Sequence, residues 1–286
     1  MGYDNTRIYA EEWATKLQEQ LDEPNKFKDI CRVEYTTVKV FHNPYLTDPT
    51  IQTLSRGTPY TMQPITETDE NVNINQTYIA ASFIDRADLA QSTLLGQMEL
   101  ATRQGVLLNR KIEAAVYADH ANFTNFGLSD TNGGAAADTA TITVSATNID
   151  DIITHIVRVF SVASGDELFE RNGGFIVWRP ADFQILTTFM MANGFSTADS
   201  ALKGGVKGGV DYMGFTHYKS NQLVANHVFA GVKKLEHVGI LSSTYGQIVV
   251  TQDPALTSGI GVVSRVDYNV KTWTRVKPLL LDVNVA

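Results

Sequence analysis

The residues able to do chemistry are few, and their spacing is poor for it. Six histidines, His42, His120, His155, His217, His227 and His237, are scattered through 286 residues. None stands at the spacing that puts two metal ligands on one helical face, so structural or surface roles are expected and no metal site is predicted. Cys31 is the single cysteine, which excludes an intramolecular disulfide and a cysteine-built metal site and favours a reducing compartment. No Gly-x-Ser-x-Gly elbow and no His-Glu-x-x-His occurs. The run Gly204–Gly209 lacks the Lys-Ser/Thr ending of a phosphate-cradling loop and reads as a hairpin or surface loop. Asp130-Thr131-Asn132-Gly133 lacks the closing glutamate of a calcium loop and reads as a turn. The pairs Asp150-Asp151 and Asp69-Glu70 are adjacent in sequence, and adjacent side chains diverge on helices and strands. They read as a helix cap and a solvated loop. No catalytic group and no cofactor is expected, and the chain is read as not an enzyme.

Composition narrows the class further. With 43% hydrophobic and 19% charged residues the chain can bury a core, which excludes disorder. Lys plus Arg is 23 against 31 Asp plus Glu, a net charge of −8. Affinity built on neutralising phosphates needs clustered cations, so such a binder is disfavoured. No apolar run approaches the roughly 18 residues that span a bilayer. Asp4, Glu11 and Glu12 stand where a signal peptide needs a basic start and an apolar stretch, so a soluble intracellular product without membrane contact is expected.

The elements that must position these residues follow from periodicity. Residues 4–22 read as an amphipathic helix stopped by Pro24, and Arg32–Phe41 as a β-like stretch. Pro44, Pro49, Pro59 and Pro64 crowd the next segment, which must be extended because proline fixes φ and donates no hydrogen bond. Val72, Ile74, Gln76 and Tyr78 alternate with Asn71, Asn73, Asn75 and Thr77, as in a strand with one polar face. Residues 43–84 carry Asp48, Glu67, Asp69 and Glu70 against Arg56, a net of −3. So long and polar an extension is expected to pack on something other than its own core. A long helix is predicted from Asp85 to about Asp119, with Leu94, Met98, Ala101, Leu108, Ile112 and Ala115 on one stripe. Residues 121–140 read as a loop and a domain boundary. Beyond them, Thr147 with Asp150 resembles a capping box, Gly174–Trp178 a short strand, and Pro180 the first turn of a helix ending before Gly194. Short strands finish the chain over Val262–Ala286.

The order of these parts is similar to that of tailed-bacteriophage coat proteins of the Hong Kong 97-type fold. Gly214-Phe215-Thr216-His217-Tyr218-Lys219-Ser220-Asn221 resembles that family's Gly-Phe-x-hydrophobic-x-x-Ser-Asn strand entry, with His217 where an apolar residue is expected. The run from Tyr268 to Val276-Lys277-Pro278-Leu279-Leu280-Leu281 resembles its closing strand. The resemblance implies an α+β protein with an N-terminal arm (1–42), an extended loop (43–84), a peripheral domain with a spine helix and linker (85–140), an axial α/β domain (141–264) and a return strand (265–286). It implies a major capsid protein that self-assembles, as hexamers and pentamers, into the icosahedral head. The partners it implies are other coat subunits, a scaffolding protein and a portal, with a decoration protein left open, and double-stranded DNA that the shell encloses with no sequence-specific binding. The protein would reside in the virion and assemble in the host cytoplasm. An encapsulin-type compartment shell and an uncharacterised soluble α/β enzyme are the alternatives. For subunit contacts, the acidic loop residues and Arg56 are candidates, opposite Arg103, Arg110 and Lys111 on the helix and Lys271, Arg275 and Lys277 near the C-terminus. Some family members join subunits through a loop lysine, and this chain has none between Asn43 and Arg110.

Overall fold

The computed structural model describes residues 26–85, 94–127, 139–163, 165–193, 209–251 and 259–286. The expected N-terminal helix, the Asp130 turn and Gly204–Gly208 lie outside these residues. Among the described residues three sheets organise the chain, and the largest has both faces covered. It has six strands in the order β5 (Thr124–Phe126), β13 (Leu280–Asn284), β9 (His227–Val232), β6 (Gly174–Trp178), β8 (Phe215–Lys219) and β7 (Val210–Tyr212). Gly-Phe-Ile-Val-Trp of β6 is buried throughout, as an apolar run without alternation should be when both faces are covered. Ile176 and Trp178 point to one side, where α3 (Ile149–Val162), α4 (Asp166–Asn172) and α5 (Pro180–Ala192) pack with Ile152, Ile156, Phe160, Phe183 and Leu186. Phe175 and Val177 point to the other, against Leu108, Ile112 and Val116 of α2 (Leu94–Ala118) and Phe27 and Ile30 of α1 (Lys26–Ile30). At 25 residues α2 is roughly 37 Å long.

A second, five-stranded sheet is built around one long strand, β12 (Gly259–Lys271). One edge of β12 pairs with β11 (Gln247–Thr251) and then β10 (His237–Leu241), and its other edge takes β4 (Gln76–Asp85) over ten residues. β1 (Arg32–Thr36) closes the far side, parallel to β10. A polar pin joins this sheet to the long helix: Gln104 donates to Ser82 Oγ at 3.0 Å and accepts from Ser264 Oγ at 2.5 Å, with Gln104 and Ser264 both buried. The third sheet is the hairpin of β2 (Val40–Leu46) and β3 (Glu67–Asn73).

Several expectations need correction. The stretch Arg32–Phe41 is two strands, because Thr36 turns the chain at a Val38 N–H to Thr36 Oγ1 bond and β2 leaves for the hairpin. Asp85 ends a strand rather than opening the helix, since ten ladder positions along β12 outweigh local helical preference. The region 121–140 is not all loop, because β5 lies parallel on β13. The capping box does not form. Asn148 is the N-cap, its Oδ1 accepts from Ser145 N at 2.8 Å, and Thr147 Oγ1 bonds Ser145 Oγ.

Candidate functional site

Among the described residues, the hairpin and the strap beyond it form a long exposed segment that carries large apolar side chains. β2 and β3 pair from Val40↔Asn73 to Leu46↔Glu67, so Pro44 sits in a two-stranded ribbon where its missing N–H costs little. Past Leu46 the ladder gives way to side-chain bonds. Gln52 donates to the Thr61 carbonyl at 2.7 Å and accepts from Thr61 N at 3.1 Å, while Gln63 Oε1 accepts from Thr50 N at 2.9 Å. This is how a segment carrying Pro49, Pro59 and Pro64 stays extended without a strand ladder. The tip is a turn in which Thr58 N donates to Ser55 O, with Gly57 at φ +92°, a conformation that side chains disfavour. Every residue from 46 to 69 is exposed. Ile51 is 94% exposed, Met62 82%, and Leu54, Tyr60 and Ile65 lie open beside them. Ile79 and Phe83 on β4 and Val249 on β11 add exposed apolar side chains on the five-stranded sheet.

The charged candidates divide. Asp48 Oδ2 lies 2.7 Å from Arg275 Nη2, and the Glu70 carboxylate accepts from Thr274 N at 3.1 Å, so the acidic loop meets the basic C-terminal segment of its own chain. Asp69 pairs with His42 at 2.6 Å. Glu67 lies opposite Leu46 at the ribbon's outer end, and Arg56 sits in the exposed tip. Arg103, Arg110 and Lys111 are exposed on α2, and no ion pair joins Arg110 or Lys111 to the hairpin among the described residues. Lys271 ends β12 opposite His237, and Lys277 is exposed where the chain turns towards β13. Exposed pairs of this kind contribute little to stability.

Burial holds several titratable groups of the described residues uncharged. Burial, then the nearby negative charge of Glu236, pushes the Cys31 thiol well above its usual range, so it holds its proton and donates to Glu236 Oε2 at 3.2 Å. Burial, then Asp119, likewise pushes Glu236 well up. His217 is buried in the six-stranded sheet, where it accepts from Trp178 Nε1 at 2.9 Å and faces the Tyr212 carbonyl through Nε2 at 3.1 Å. Its polar atoms are satisfied internally, which is how a histidine occupies an apolar position. One grouping had no signal in the sequence: His120, His227 and Asp282, from three distant segments, stand together at one end of the six-stranded sheet.

With its doubly covered six-stranded sheet, long helix, second sheet and projecting ribbon, the chain is similar in fold to solved phage capsids. The chain is similar to a structure from Mycobacterium phage Che8, with a TM-score of 0.62 and 15% identity over 92% of this chain and 97% of that one. It is similar to the capsid of an empty GTA particle, with a TM-score of 0.63 and 13% identity over 91% and 89%. It is also similar to the capsid of the cyanophage P-SCSP1u, with a TM-score of 0.58 and 16% identity over 92% and 88%. No protein-family model matches the sequence, and no curated protein does.

Proposed function

We propose that this chain is the major capsid protein of a tailed phage, assembling as hexamers and pentamers into an icosahedral head around double-stranded DNA. The observation that carries this reading is the strap, whose Ile51, Leu54, Tyr60, Met62 and Ile65 are exposed on a segment that touches little of its own subunit. Large apolar side chains gathered on one projection mark a surface that another molecule covers. A neighbouring coat subunit is that molecule in this reading, and Ile79, Phe83 and Val249 supply further apolar contact. Arg56 at the tip and Arg103, Arg110 and Lys111 on α2 are the charged contacts between subunits, with Lys271 and Lys277 beside the C-terminal segment. The likeness to phage capsids supports a phage head over an encapsulin-type compartment or an enzyme. Scaffolding protein, portal and a decoration protein complete the partners, and the virion is the location. No described helix is long and apolar enough to cross a membrane. A net charge of −8 suits DNA held by enclosure rather than by a cationic lining.

The test is electron microscopy of the purified chain beside the double variant Ile51→Ser, Met62→Ser. Each side chain is worth about 1.5–3 kcal/mol when fully buried and almost nothing while exposed. The variant should fold normally and fail to form shells at concentrations where the parent does. Small, discrete particles from the parent chain, or normal shells from the variant, would overturn the reading.

A further inference from the structure

We infer that His120, His227 and Asp282 form a binding site for a divalent transition-metal ion of the zinc type, one per chain. The three arrive from separate elements: His120 from the turn after α2, His227 from the first position of β9, and Asp282 from the middle of β13. β9 and β13 are antiparallel neighbours with His227 opposite Asn284, so His227 and Asp282 are diagonal partners on one face. His120 Nδ1 lies 3.0 Å from Asp282 Oδ2, and His227 Nδ1 lies 2.8 Å from Asp282 Oδ1. The two rings are 4.1 Å apart at 33°, and the donor atoms of all three residues lie within 4.8 Å of one another.

Two imidazole nitrogens and a carboxylate are the donor set of a zinc site that keeps a coordination position open. Bonds of about 2.0–2.1 Å place tetrahedral donors about 3.3–3.5 Å apart, so each His–Asp pair needs to separate by only about half an ångström. Both rings present Nδ1, and each binds metal in the tautomer with its proton on Nε2. Asp282 is buried, and a buried carboxylate needs compensating charge or full hydrogen bonding. One divalent ion held between Asp282 and the two rings, whose centroids are 4.1 Å apart, supplies that compensating charge. The open position faces a cleft of about 440 Å³ lined by Asn125, Thr141 and Asn226, where coordinated water finds oxygen partners. Bound there, the ion ties the end of the long helix to two central strands. Its role is a rivet that stiffens the subunit, and the site stands whether or not the chain forms a phage head.

The experiment uses the full chain, dialysed against a chelator and then against zinc chloride, with metal content measured by mass spectrometry. One zinc per chain should be retained, and at about a hundredfold excess over Kd the ratio of folded to unfolded protein should rise about a hundredfold. Cobalt(II) substituted into the parent chain should show the intense visible absorption of a tetrahedral site, a readout that needs no variant. His227→Gln and His120→Gln should each lose the retained metal and the cobalt spectrum while keeping the parent's circular dichroism. No retained zinc and no tetrahedral cobalt bands in the parent chain would show that the three residues only hydrogen-bond one another. Uptake unchanged in both variants would place the ion elsewhere. Either result overturns the inference.

Discussion

Acid should unfold this subunit partly through one histidine. His217 accepts the Trp178 Nε1 proton on Nδ1, so its own proton sits on Nε2, towards the Tyr212 carbonyl. A second proton would set Nδ1–H against the indole N–H in a site closed to water. Burial is the main cause that pulls the imidazole pKa from the usual 6.5 down to about 4, with the Tyr212 carbonyl and Asp211 acting weakly the other way. The unfolded chain takes up this proton near its ordinary pKa, and the folded chain refuses it until about 4. Stability from this residue is therefore complete above pH 6.5 and is lost as pH falls towards 4. The full difference is about 3 kcal/mol, and most of it, about 2–3 kcal/mol, is gone by about pH 4.5. Urea unfolding of the unassembled subunit at several pH values, beside His217→Gln, measures it. The variant lacks the titrating ring, so its stability should fall less steeply with acid by that amount. Parallel curves for the two proteins, or an imidazole titrating near 6.5 in the folded chain by NMR, would refute the argument.

Cys31 should resist a thiol reagent in the native chain and react once denaturant exposes it, as absorbance of the released chromophore will report. Gly231→Ala should cost about 1–3 kcal/mol in urea unfolding, because the new methyl would lie 2.7 Å from Leu280 Cδ2 and 3.1 Å from both the Leu279 carbonyl and Phe175. Asp48→Asn breaks a solvent-exposed pair with Arg275 and should leave the unfolding midpoint unchanged, read by the same assay. Particles boiled in denaturant should run on a gel as a single 31.5 kDa band, because no lysine lies between Asn43 and Arg110 to join subunits covalently.

What could be read in advance was local. Gly174–Trp178 followed by Pro180 announces a buried strand and a helix start, because five apolar residues and an N1 proline act within a few positions. The four prolines told of an extended segment, and the hairpin and strap lie there. The part of β4 beyond Tyr78 was hidden, since Ile79 and Phe83 face solvent and only β12, nearly two hundred residues later, decides that 79–85 is a strand. Thr147 matched a capping pattern, yet the neighbouring Asn148 has an amide that reaches both Ser145 N and the Thr143 carbonyl. His120, His227 and Asp282 share no sequence spacing, because a sheet that orders strands 5, 13 and 9 as neighbours brings distant residues together. Asp48 and Arg275 have complementary signs in the sequence, but only the fold shows that they meet within one chain.

The position of β13 also sets a clock on biosynthesis. It lies between β5 and β9, so the sheet has a missing row until residues 280–284 have left the ribosome. Translation at about 5–20 residues per second separates the appearance of residues 124–126 from that of 280–284 by about 8–30 s. For the last part of that interval, the roughly 3–10 s after β9 has been made, Ala230 and Val228 have an unpaired strand edge beside them, a template for pairing with another nascent chain. β13, made after both of its neighbours, is thus the strand that closes the edge, so a subunit interrupted before it is left adhesive and unfinished.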